Sequence, residues 1–229
     1  MQPPKIVIAI DGPAASGKST TARLAAQRLG YLHIDTGAMY RAITFRVLEE
    51  NIPLAEIDRI GRLAEKTRIH LERTDGGNKV FVDGRDVTGD IRSAEVTRSV
   101  SVVSSYQTVR DVLVREQRRM AKRGGVVLEG RDIGTVVLPE ADLKIYMVAR
   151  VSERVKRRKI EMESAGAVVE LAELEQEIVE RDRFDSSRKA SPLSKARDAI
   201  ELDTSDLTIE QQVQFVIDEA RKAIGRKTG

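Results

Sequence analysis

Nine consecutive residues, Gly12-Pro13-Ala14-Ala15-Ser16-Gly17-Lys18-Ser19-Thr20, carry the strongest chemical signal in the chain. They satisfy G-x-x-x-x-G-K-S/T, a loop that wraps the phosphates of a nucleotide. Lys18 would place a point charge on the β- and γ-phosphates, and the Ser19 hydroxyl would ligate Mg2+. The competing reading is an ordinary glycine turn, and the surroundings argue against it. The apolar run Ile6 to Ile10 reads as a buried parallel strand. Ala22, Leu24, Ala25 and Leu29 follow with helical spacing, and Gly30 is a natural stop. Strand, loop and helix in that order aim unpaired N–H groups and the positive helix end at an anion.

Such a loop serves ATPases, GTPases and kinases alike, so the acceptor must be read elsewhere. Asp35-Thr36-Gly37-Ala38-Met39-Tyr40-Arg41 is a small-residue turn entering a second helix, with Arg41 one turn inside. It suits another anion, against the alternative of a plain capped helix with a surface arginine. Gly-Arg-Asp occurs twice, at 84–86 and 130–132. The first copy sits in a hairpin and is most simply a turn. The second follows a buried strand, where a paired Arg131 and Asp132 are costly unless they contact something. Arg150, Arg154, Lys156, Arg157, Arg158 and Lys159 form a basic stretch, by default a solvated helix face or a nucleic-acid patch. Arg154 and Arg158, four apart, share a face, as do Arg181, Asp185 and Arg188 at spacings of four and three. An arginine-bearing flap between about 157 and 181 would close over phosphates, exclude water and neutralise developing charge.

The elements that must position these groups form an α/β pattern. Four more buried strands are expected at 31–34, 126–128, 143–148 and 199–202, separated by helical stretches, which predicts a parallel sheet with helices on both faces. Ligands then gather at the C-terminal strand ends. Between about 68 and 90 the texture changes to alternating polarity, with Asp75-Gly76-Gly77-Asn78 and Asp83-Gly84 as hairpin turns, so an antiparallel insert is expected there. Thr208 and Gln211 form a capping box opening the last helix.

Composition narrows the field. Cysteine is absent, which removes disulfides and thiol chemistry. The 229 residues hold 39 basic against 36 acidic side chains and 3% aromatics, a poor basis for nucleic-acid binding. No apolar stretch approaches a membrane span, and the N-terminus lacks the layout of a signal peptide, so a cytoplasmic location is expected. The two histidines, His33 and His70, lie in strand settings away from the chemical motifs and read as structural. No surface stretch is conspicuously apolar, and a monomer is expected.

Taken together, GPAASGKST, DTGAMYR, GRDVTGDIRSAEV, LEGRDIGTVV and ERDRFDSSR followed by Pro192-Leu193 resemble the bacterial cytidylate kinases, of the nucleoside monophosphate kinase group. The marks fall in family order and span nearly the whole chain. The resemblance implies a three-layer P-loop NTPase core with a five-stranded parallel sheet, an inserted monophosphate-binding subdomain with antiparallel hairpins, and a short lid. It divides the chain into core (1–35), insert (36–106), core (107–156), lid and flanking helix ends (157–188) and core (189–229). It implies ATP and (d)CMP as substrates, (d)CDP and ADP as products, and Mg2+. Residues 12–20 would hold ATP. Thr36, Arg41, Arg131 and Arg188 would hold the CMP phosphate. Arg181 and Asp185 would face the ribose, and Ser101, Arg110 and Asp132 the cytosine. Lys18, Arg131, Arg154, Arg158 and Arg188 would act on the transferred group. Thr36 and Glu129 stand where Ser and Asp are frequent in the family, and both keep the functional group. Another small acceptor (UMP, AMP, a hydroxylated metabolite), a nucleic-acid binder with an ATP switch, and a regulatory module without turnover are the rival readings.

Overall fold

A computed structural model describes residues 4–74, 77–164, 166, 169–188 and 190–228. Strand β1 (Val7–Asp11) leads through the glycine loop into α1 (Lys18–Leu29), then β2 (Leu32–Asp35) and α2 (Thr36–Glu49). After α3 (Ile57–Lys66) come β3 (Ile69–Thr74), β4 (Gly77–Val82) and the short β5 (Arg85–Asp86). Helices α4 (Ala94–Val103) and α5 (Gln107–Ala121) precede β6 (Val126–Gly130) and β7 (Leu143–Val148). Helices α6 (Val151–Ser164) and α7 (Leu171–Ser187), β8 (Ile200–Asp203) and α8 (Ile209–Thr228) complete the chain.

β2, β6, β1, β7 and β8 form, in that spatial order, a five-stranded sheet whose neighbouring strands all run parallel. The apolar run of β1 explains its central place, because a strand covered on both faces needs apolar side chains on both. Ile8 and Ile10 pack with α1 and α8, while the alternate Ala9 packs with α2, α3 and α5 on the other face. The connection leaving β1 runs to β2 on one side and that leaving its neighbour β6 runs to β7 on the other, so the two diverge and open a crevice at the C-terminal ends of these strands. The glycine loop occupies that crevice. Gly30 ends α1 in the left-handed conformation at φ 68°, as its position predicts.

The antiparallel insert is present as the separate sheet β3-β4-β5. Its second turn, Asp83-Gly84, has positive φ at both residues (50° and 86°), the conformation of a tight two-residue hairpin. Asp75-Gly76 of the first turn lie outside the described residues. The sheet packs through Val80, Val82 and Val87 onto Ala38 and Ala42 of α2. Arg85 pairs with Glu49 and Asp90, so the first Gly-Arg-Asp copy serves the hairpin and its support. Helices α6 and α7 pack on each other through Val155, Leu174 and Ile178. Among the described residues no helix is long and apolar enough to cross a membrane.

Candidate active site

β1 ends at Asp11, and the chain then passes close against β7. A Cβ on Gly12 would lie 2.3 Å from the Met147 carbonyl oxygen, so only glycine lets the loop begin there. Gly17 caps α1 with φ 91° and offers no side-chain acceptor to its first turn, leaving those N–H groups for an anion. Lys18 is buried at the start of α1, and its Nζ donates to the Pro13 carbonyl at 2.9 Å. Burial, reinforced by Arg131, brings its ammonium down to about 7. Thr21 and the loop's back side lean on α8, where Gln212 Oε1 accepts from Thr21 Oγ1 at 2.9 Å.

Beside the loop is a corner of oxygen atoms. Ser19 Oγ donates to Glu129 Oε2 at 2.5 Å, and Thr36 Oγ1 donates to the Glu129 carbonyl at 2.7 Å. Asp35 stands next to them and caps α2 by accepting from Ala38 N at 3.0 Å. Burial, then the charge on Glu129, push Asp35 up. Glu129 is held below the usual carboxylate range: burial opposes this, and the hydrogen bond from His33, Lys18 and the Ser19 hydroxyl prevail. Hard oxygen donors at the end of a nucleotide's phosphate loop fit Mg2+, which binds through one or two carboxylates plus substrate phosphates. The fit rests on Ser19 and Glu129.

The loop after β6 is fixed by a carboxylate that the motifs did not single out. Asp11 Oδ1 and Oδ2 accept from Ile133 N and Gly134 N at 2.8 and 2.7 Å. Burial raises Asp11 to about 6. Because Asp11 precedes the glycine loop and residues 133–134 follow Arg131 and Asp132, this contact ties the two motifs together. Asp132 pairs with Arg110 in a buried ion pair, and the Arg110 guanidinium lies 5.7 Å over the Tyr40 ring. Ser101 sits on α4, within a turn of Ser104, whose carbonyl accepts from Arg110 at 3.5 Å.

The arginines converge. Arg131 Nε donates to Asp185 Oδ2 at 2.9 Å, and Arg188 lies 3.7 Å from Asp185 Oδ1. Arg188 Nη1 also reaches Ser104 Oγ at 3.5 Å. Arg41 is held by Thr97 Oγ1 at 2.9 Å and the Ile91 carbonyl at 3.3 Å. Arg181 lies between these groups. Its Nε is buried without a hydrogen-bond partner, and burial, then Arg131, with Arg41 and Arg158 adding, lower it to about 10. Asp185 is the carboxylate that Arg131 and Arg188 share, while the charges of Asp35 and Asp132 act on Arg41 and Arg188. The flap residues separate in role. Arg154 is buried, donating to the Ala14 carbonyl at 3.2 Å and to Asp182 at 2.5 Å. Arg157 turns to Thr204, and Arg158 pairs with Glu161 at 2.8 Å while its charge is felt by Arg41 and Arg181.

The expectation that both histidines stand apart from the chemistry fails for His33, whose Nε2 lies 2.9 Å from Glu129 Oε1. It goes unnoticed in sequence because it belongs to no motif and its partner is 96 residues away. His70 lies in the insert hairpin, 6.2 Å from the Phe81 ring.

A family model described as cytidylate kinase matches residues 8–222. A cytidylate kinase of Geobacillus sp. (strain WCH70) is 50% identical over 220 residues, covering 96% of this chain and 98% of that protein. A cytidylate kinase of Bacillus subtilis (strain 168) is 46% identical over 224 residues, 98% of each chain. Among solved structures, a shikimate kinase from Bacteroides thetaiotaomicron superposes with a TM-score of 0.50 at 11% identity, covering 94% of this chain and 98% of that one, a likeness of fold alone.

Proposed function

Since the chain belongs to the cytidylate kinase family, and so moves the γ-phosphoryl group of ATP to CMP or dCMP to give (d)CDP and ADP, we propose a specific division of labour among its residues. Residues 12–20 hold the ATP phosphates, with Lys18 on the phosphoryl group in transfer. Thr36, Arg41, Arg131 and Arg188 hold the CMP phosphate, Arg181 and Asp185 the ribose, and Ser101, Arg110 and Asp132 the cytosine. The observation that carries this reading is the arginine cluster, which includes a buried guanidinium nitrogen without an acceptor, at the same sheet edge as Lys18. Uncompensated buried cations are costly, and an anionic substrate supplies what they lack.

An oxygen of the acceptor phosphate attacks the γ-phosphorus in line as the bond to the β-bridging oxygen breaks. That acceptor oxygen is already anionic, so no strong general base is needed. Positioning and neutralisation of repelling charges carry the rate. Arg131 and Arg188 hold the acceptor phosphate against the donor, Arg154 already bears on the phosphate loop through the Ala14 carbonyl, and Arg158 brings further charge once the lid segment 157–188 closes on the core. Mg2+, held by Ser19 and Glu129, would neutralise charge on the β- and γ-phosphates. The insert 36–106 presents CMP to the core segments 1–35, 107–156 and 189–229. We place the protein in the cytoplasm, in pyrimidine nucleotide metabolism, as a monomer acting on small molecules without nucleic-acid or membrane partners.

Base choice follows from Asp132. Its carboxylate accepts from the cytosine amino group, whereas against the uracil carbonyl two acceptors would be opposed and desolvated, costing a few kcal/mol. A coupled assay of ADP release over CMP, dCMP, UMP and AMP tests the reading. CMP and dCMP should exceed UMP in kcat/KM by about a hundredfold, and near-equal values would remove the role given to Asp132.

A further inference from the structure

His33 is buried on β2, two residues before Asp35 and therefore on the same face of the strand. No step of the proposed reaction uses it. Its Nε2 nevertheless lies 2.9 Å from Glu129 Oε1, while Glu129 Oε2 receives the Ser19 hydroxyl at 2.5 Å. Each carboxylate oxygen thus has one side-chain partner, and the two partners come from opposite sides. The far side of His33 is occupied as well. Asn78, at the start of the insert hairpin strand β4, donates from Nδ2 to the His33 carbonyl at 2.8 Å and lies 3.4 Å from His33 Nδ1. An amide nitrogen facing Nδ1 and a carboxylate facing Nε2 both suit the tautomer that carries its proton on Nε2.

Glutamate at this position has one more rotatable bond than aspartate, so an unanchored Glu129 could turn its carboxylate away from Ser19. We propose that His33 is a positioning residue for the metal corner: by holding Oε1 it keeps Oε2 directed at Ser19 and at the divalent cation that accompanies the donor nucleotide. Asn78 extends the chain of contacts, Asn78–His33–Glu129–Ser19, from the insert hairpin to the phosphate loop. The proposal rests on the reading that Ser19 and Glu129 hold the cation.

The test compares two amides at position 33. In His33→Gln the amide nitrogen can reach the place of Nε2; in His33→Asn it falls short of Glu129. Mn2+ affinity in the presence of ADP, measured by the electron paramagnetic resonance of free Mn2+, should fall about tenfold in His33→Asn and stay within about threefold in His33→Gln, with the Kd for CMP alone unchanged in both. In a Glu129→Ala background, His33→Asn should cause no additional loss. Unchanged Mn2+ affinity in His33→Asn, equal defects in the two amides, or an added loss in the Glu129→Ala background would each overturn the proposal. A measurement on the unaltered protein guards against a variant that fails to fold. With two histidines in the chain, their ring-nitrogen NMR signals are readily assigned. His33 should show the Nε2–H tautomer and shift on adding Mg2+ with ADP, while His70 stays fixed. The other tautomer, or a His33 signal blind to the metal, would also overturn it. Should the unaltered protein bind no Mn2+ with ADP, the metal corner itself is wrong; intact binding with indifferent variants would refute only the role of His33.

Discussion

Burial and the neighbouring Arg131 bring Lys18 down to about 7, so at pH 8 the nucleotide-free protein keeps most of this side chain neutral. A triphosphate arriving beside Nζ favours the ammonium and raises its pKa again. A group whose pKa rises on binding takes up a proton between its old and new values. Metal-free ATP binding at pH 8, where the triphosphate is already fully ionised, should therefore take up close to one proton. Calorimetry in buffers of different ionisation enthalpy reads this directly, and Lys18→Met should abolish the uptake. A buffer-independent heat at pH 8 would contradict the account. Lys18 and Ser19 are legible in the sequence because the phosphate loop is a contiguous motif. Asp11 and Thr97 are not: each acts by holding another functional segment through a contact that only the folded chain makes. Asp185 lies between these cases, legible by its helical spacing with Arg181 and Arg188 but not as the carboxylate the arginines converge on.

At the level of elements, local signals decided most of the fold. The inner strands β1, β6 and β7 are legible because burial on both faces leaves near-continuous apolar runs, whereas β2 and β8, expected to be buried, are edge strands that expose Leu32, Glu201 and Asp203. The ends of all five shift by only a residue or two from the pattern. The strand order was not legible, since apolar runs say nothing of which neighbours they choose, and the crevice at the end of β1 depends on that order. The capping box is a case where two side chains sufficed. Thr208 N donates to Gln211 Oε1 at 2.9 Å, and Gln211 N donates to Thr208 Oγ1 at 3.3 Å. α8 buries Val213, Val216, Ile217 and Ala220 against the sheet and α1, and through Gln212 it braces the helix that starts at the phosphate loop. Thr208→Ala should cost about 1 kcal/mol and lower the melting temperature by about 2–4 °C. The side chains of Thr208 and Gln211 bond each other and none of the proposed site residues, so kcat should remain unchanged at 25 °C. A melting temperature equal to that of the parent protein would show that the box contributes nothing.

Over the whole molecule the charges are arranged by pairing, with a net of only +3. Arg150, Arg154, Lys156, Arg158 and Lys159 each face a carboxylate, and Arg157 is bonded to Thr204. A stretch that reads in sequence as a basic patch therefore offers little free charge to a polyanion, and the protein should leave immobilised DNA below about 0.1 M salt. Retention well above that would revive a nucleic-acid role. Lys18, Arg41 and Arg181, buried or half-buried without an ion pair among the described residues, gather at the sheet edge, and Arg131 joins the two halves of the site. It is the largest neighbouring charge acting on both Lys18 and Arg181, and it bonds Asp185 across from α7. A group so placed meets the full charge of both nucleotides only when they are bound together and the phosphoryl group is in flight. Arg131→Ala should then lower kcat by 10²–10³-fold, the usual cost of one preorganised charge, while the Kd of ATP alone or CMP alone changes less than tenfold. The same change should raise the pKa of Lys18, because the charge that most opposes its ammonium is gone, and so reduce the proton uptake on ATP binding at pH 8. Equal losses in kcat and in both dissociation constants would assign Arg131 to ground-state binding. An unaltered proton uptake would mean that its field does not reach Lys18, and the two cradles would not be electrostatically joined.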